Sequence, residues 1–266
     1  MLIWFVIIYW LAAIGIGLWA AMRVKNTADF AAAGHSLPLP IVTATVFATW
    51  FGSETILGIP ATFLKEGLGG IVSDPFGSSM CLILVGLFFA RHLYNRKMLT
   101  IGDFYREKYG RTVEVLITLC IVVSYLGWVA AQIKALGLVF NVVSDGYLSQ
   151  QTGMIIGAAS VLIYTLFGGM WSALFTMMLG SIPQQDVFQR ITSSRNVDTA
   201  VRGAVLGGVL YFIFAFVPLF LAYSATLIDP NLVDKHLHVD SQMILPSLIL
   251  NHSPIYAQMI FFGALL

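Results

Sequence analysis

Residues 48–60 read Ala-Thr-Trp-Phe-Gly-Ser-Glu-Thr-Ile-Leu-Gly-Ile-Pro, a glycine-broken, acid-bearing stretch inside an apolar segment long enough to span a bilayer. Hydrocarbon satisfies no backbone N–H or C=O, so a helix comes apart at membrane depth only where it lines a cavity or a site. Gly52 and Gly58 loosen the ladder, and Pro60 removes a donor and disfavours the α region for Ile59. Glu54 is an ionisable group at membrane depth, which is costly and marks a functional site. Carbonyls offered to a cation and polar groups offered to a solute, both from an unwound midplane helix, characterise secondary transporters.

Composition sets the class. Of 266 residues, 58% are hydrophobic and only 10% charged. Soluble domains carry about 25% charged residues, so this is an all-α integral membrane protein. The net charge of +1 is spread over several connections and gives no basic surface for nucleic acid. Cys81 and Cys120 lie in apolar stretches without metal-ligand spacing and read as small buried hydrophobes. No Ser/His/Asp or Cys/His arrangement and no phosphate-cradling glycine loop is present, so neither catalysis nor ATP-driven transport is supported.

Apolar runs place about seven transmembrane helices in a single domain over residues 1–266. The first, Leu2 to Met22, is too long for a signal-peptide core and is followed by its basic residues, so it reads as a retained helix. The others lie near Ile41–Leu64, Gly77–Leu93, Thr112–Val143, Thr152–Phe167, Gly203–Ala225 and from Pro254 onward. With the N-terminus outside, one set of connections carries eleven Lys and Arg residues and the other only Lys65 and Lys235. That bias orients the chain in a plasma (inner) membrane. One stretch, about residues 170–185, resists the layout, because both of its ends fall on the basic side. It must dip in, lie on the surface, or lack a segment.

The run Tyr164-Thr165-Leu166-Phe167-Gly168-Gly169-Met170-Trp171-Ser172 resembles the signature of the sodium:solute symporter family. Residues 48–60 resemble that family's first core helix, and Gln189-Arg190 with Ser193, Ser194 and Ala200 its loop after the sixth. The resemblance implies a LeuT-type bundle of inverted repeats, here partial, that couples Na⁺ to a small organic solute. It implies that the carbonyls of Ala48 and Phe51 bind Na⁺, the coupling ion, and that Gly52, Ser53, Glu54 and Thr55 face the substrate. The family pattern breaks off after Thr176, which implies an internal deletion near Thr176 and Met177. It also implies that the ion-binding pair of the eighth core helix would follow Leu266, so the chain is expected not to transport alone. A non-transporting sensory or interaction module of the same fold is the alternative.

Other residues are more ambiguous. Gln132 faces either the solute or a neighbouring helix, and Lys134 either snorkels or pairs with Glu54. Trp50 and Phe51 shape the pocket or pack between helices. Gly168-Gly169 is expected to support a tight turn, and Arg190 to steady a gate. Asp234, His236, His238 and Asp240 read as a solvated run rather than a metal site.

Overall fold

A computed structural model describes residues 2–22, 24–25, 33–96, 101–177 and 187–265. Among these residues the chain is helical, with one parallel bridge pairing Leu37 with Ser194. Helix α1 (Leu2–Ala21) is followed by α2 (Leu39–Trp50), which begins on Pro38 and Pro40. Proline suits a helix start, because its fixed φ is helical and its missing N–H has no partner there.

The break predicted from the sequence is present at Phe51 and Gly52, but Gly58 and Pro60 take no part in it. Phe51 (φ −83°, ψ 78°) leaves the helix, and after Gly52 a π-turn over Glu54–Gly58 leads into α3 (Ile59–Glu66). Ile59 keeps helical angles (φ −58°, ψ −48°). Pro60 occupies the first turn of α3, where no donor is required. Gly58 and Pro60 therefore start the second half of the helix and do not disrupt it.

Helix α4 (Ser78–Leu84) continues through a π-turn into α5 (Ala90–Asn95). A short α6 (Ile101–Tyr109) precedes the long α7 (Arg111–Val143) and α8 (Gln150–Met177). Then come α9 (Val187–Thr192), α10 (Val197–Ile228), α11 (Pro230–Leu237), α12 (Ile244–His252) and α13 (Ile255–Leu265). Among the described residues, four helical runs are long and apolar enough to cross a membrane: Leu2–Trp19, Glu54–Asn95, Arg111–Val143 and Val197–Ile228. Shorter apolar helices cover Leu39–Trp50 and Gln150–Ile163.

Two further expectations are corrected. Gly168-Gly169 forms no turn, because α8 runs through it to Met177. The resisting stretch thus begins as helix, and its remainder, within 178–186, lies outside the described residues. Cys81 and Cys120 are exposed, as are Phe88 and Leu126. An apolar run in a membrane protein need not be a buried one, since lipid accepts its outer face.

Helix α10 is the central post. An added Cβ at Gly203 would lie 2.5 Å from Val42 Cγ1, and one at Gly207 2.6 Å from Val46 Cγ1. Gly208 meets α4 in the same way, 2.9 Å from Leu82 Cβ. Small residues let backbones approach closely where no hydrophobic effect draws helices together. At the basic end, residues 33–38 are stitched to the end of α9. Leu37 N–H donates to the Ser193 carbonyl and Arg195 N–H to the Leu37 carbonyl, each at 3.0 Å, and the His35 ring meets the Thr192 carbonyl.

Gly207→Val should therefore overpack the α2–α10 contact, costing about 1–3 kcal/mol and lowering the melting temperature in detergent. Gly15→Ala, where an added Cβ meets nothing within 4 Å, should leave melting unchanged. Equal melting of the two variants would contradict this packing.

Candidate functional site

Where α2 ends, its last carbonyls lose their helical donors. Gly52 N–H, which an unbroken helix would give to the Ala48 carbonyl, donates to the Trp50 carbonyl at 3.0 Å. The 78° ψ of Phe51 turns its own carbonyl out of the ladder. The Trp50 carbonyl also accepts from Thr55 Oγ1 (2.8 Å), and Thr55 Oγ1 lies 3.1 Å from the Tyr211 hydroxyl. Tyr211 in turn donates to Asp74 Oδ1 at 2.5 Å. A line of buried hydroxyls thus joins the broken end of α2 to the connection between α3 and α4.

Beside the π-turn is a cavity of about 220 Å³. Ser53 and Glu54 enter it from the turn, Gln132 from α7, Asp74 from the α3–α4 connection and Gln242 from the turn before α12. Ser53 Oγ donates to Gln132 Oε1, which fixes the π-turn against α7. Leu57, Ile59 and Ile71 supply apolar wall. The residues contributed by 70–74 and Gln242 place the cavity toward the end of the bundle opposite the basic one.

Toward the basic end the interior holds a buried arginine. Arg190 is fully buried, and its Nε donates to Thr49 Oγ1 at 3.2 Å, one residue before Trp50. Burial lowers its pKa to about 10, so it remains a cation at neutral pH. A buried guanidinium of this kind persists only when acceptors surround it.

The sequence-predicted residues separate cleanly. Ser53, Glu54 and Gln132 line the cavity together. Thr55 instead serves the broken backbone, and neither it nor Gly52 lines the cavity. Trp50 and Phe51 pack with aromatic neighbours, their ring centroids 6.4 Å and 6.5 Å from that of Tyr211. Lys134 is exposed and does not line the cavity, although Gln132 and Ala135 do. Asp74 and Tyr211 were missed. A single tyrosine in an apolar helix and an aspartate in a connection carry no periodic signal, and 137 residues separate them.

The profile of the sodium:solute symporter family matches residues 30–178. The high affinity choline transporter 1 of Homo sapiens is 26% identical over 337 aligned positions, which take in 97% of this chain and 56% of that protein. The sodium/glucose cotransporter of Vibrio parahaemolyticus is 27% identical over 184 positions, 64% of this chain and 32% of its own length. The chain thus spans about half the length of the human relative. A substrate-bound, outward-open Na⁺-coupled sialic acid symporter superposes with a TM-score of 0.80 at 16% identity, covering 99% of this chain and 68% of that one. That likeness shows the fold: a LeuT-type helical bundle.

Tyr211→Phe should cost about 1–3 kcal/mol, because it leaves the Asp74 carboxyl without its donor. Tyr223→Phe, at an exposed position of the same helix, should cost nothing measurable. Indistinguishable thermal melting of the two variants would remove Tyr211 from the account.

Proposed function

The chain belongs to the sodium:solute symporter family, and from that premise we propose that its fold serves Na⁺-coupled symport of a small organic solute by alternating access, with the junction at residues 170–185 leaving this chain unable to transport alone. It is a multi-pass membrane protein and not an enzyme. The observation that carries the reading is the broken helix with its displaced carbonyls, set against a cavity to which five separate elements contribute. In this reading Na⁺ is taken by the carbonyls of Ala48 and Phe51. The solute docks beside Ser53, Glu54 and Gln132, while Gly52 and Thr55 hold the break in shape. The relatives' names, spanning choline and glucose, support a small solute without choosing one.

The two ends differ as alternating access requires. The buried Arg190 against Thr49 supports a closed basic side, and the cavity's lining supports access from the other. The positive-inside bias supports a plasma-membrane orientation with the basic end cytoplasmic and the N-terminus outside. Ion and solute are coupled because each favours the same conformations. The proposed deletion junction at residues 170–185 is supported by the family match, which ends at residue 178. It is supported too by an alignment to the human relative that is longer than this 266-residue chain.

Thr45, buried one turn before Thr49, is the test position. In a chain with Cys81 and Cys120 replaced by serine, Thr45→Cys should be labelled slowly from the Arg190 side. Na⁺ should slow that labelling further relative to K⁺, and adding Arg190→Ala should speed it about tenfold, an opening shift of ~1.4 kcal/mol. Labelling indifferent to both Na⁺ and Arg190 would overturn the proposed cycle.

A further inference from the structure

A second concavity, remote from the broken helix, is a surface groove of about 510 Å³ where α6 meets α7. Gly110 (φ 86°, ψ 176°) joins the two helices in a conformation that residues with a Cβ rarely adopt. It sets Arg106 of α6 over the first turn of α7, 3.6 Å from Glu114. Arg106, Arg111 and Glu114 line one end of the groove, and Val115, Leu119 and Val122 the other. Thr118 lies between them, so the α7 positions run 111, 114, 115, 118, 119 and 122, a single face of one helix. We propose that this groove holds one anionic phospholipid, with its phosphate on Arg106 and Arg111 and an acyl chain along the apolar stripe. The inference rests on the chain's place in a membrane and not on the symport reading.

The groove is divided as a phospholipid is. At 1.5 Å per residue, Arg111 to Val122 spans roughly 16 Å, about half the thickness of a bilayer's hydrocarbon core. Charge therefore stands at one end of a stripe one leaflet deep. Val115, Leu119 and Val122 are 57%, 60% and 53% exposed, and only lipid reaches such a face at that depth. Tyr109, also exposed, stacks on Tyr105 beside the charged end, and tyrosine settles at headgroup level. A guanidinium matches phosphate with paired N–H donors. Arg111 has no carboxylate within ion-pair distance among the described residues. Arg106 is 63% exposed in its pair with Glu114, and a surface pair of that kind contributes too little to keep phosphate away. A free anion would use the arginines and leave the stripe idle. A zwitterionic lipid would bring its own ammonium against two cations, and a helix laid on the stripe would cover guanidiniums that need acceptors.

Native mass spectrometry of the full chain, released from detergent with dioleoylphosphatidylglycerol or dioleoylphosphatidylcholine, counts the bound lipids. The first phosphatidylglycerol should bind at least about tenfold more tightly than phosphatidylcholine. Arg106→Gln with Arg111→Gln should abolish that preference. Arg195→Gln with Arg202→Gln, which removes two exposed cations from outside the groove, should keep it. Glu114→Gln should tighten binding by releasing Arg106. Glu107→Gln makes the same change of charge but frees Arg96, outside the groove, and should not tighten it. Glycerol 1-phosphate should not displace the lipid. Equal binding of the two lipids, equal loss in both arginine pairs, or equal gain in both glutamate variants would overturn the site. Displacement by glycerol phosphate would make it a site for a free anion, and a lipid-free dimer would give the groove to a second copy; either result overturns the lipid assignment.

Discussion

A helix interrupted in hydrocarbon must have its backbone satisfied by other parts of the protein, and here that requirement falls on a single carbonyl. Trp50 accepts both the Gly52 N–H and the Thr55 hydroxyl. These two bonds let the chain turn at Phe51 without leaving the break ragged, and they leave the Ala48 carbonyl without its usual donor. Thr55 meets Tyr211, and Tyr211 holds Asp74. The geometry of the break is thereby linked to the connection that walls the cavity. Remove that linkage and the turn, the cavity wall and the placement of α10 lose their common anchor.

The cavity and the seal follow from how α10 is packed. Gly203 and Gly207 bring it against α2, while Tyr211, one turn beyond Gly207, is placed level with the break. Below the break Arg190 is buried against Thr49. The bundle therefore offers polar side chains at one end and a buried cation at the other. Motion between two such closures is how LeuT-type carriers move a solute past a fixed site.

Much of this was legible from residue order alone. Gly52 inside an apolar span pointed to the break, and Ser53, Glu54 and Gln132, read as candidates, all line the cavity, Gln132 also accepting an interhelical bond from Ser53. The finer placement was not legible. Proline is both a breaker and a good first residue, and only the tertiary frame shows that Pro60 begins α3. The same sequence signal cannot distinguish a lipid-facing apolar position from a buried one, which is why Cys81 and Cys120 were misread. Asp74 and Tyr211 were invisible because their meaning lies in a contact between distant segments.

The central claim is that the interruption at residues 48–58 is an ion-responsive element. Hydrogen–deuterium exchange across that segment, compared in Na⁺ and in K⁺ at equal ionic strength, tests it most directly. Protection of amides around Phe51 to Thr55 by Na⁺ alone, with α10 unchanged, is the predicted result. Exchange in that segment that is the same in both salts would contradict the account.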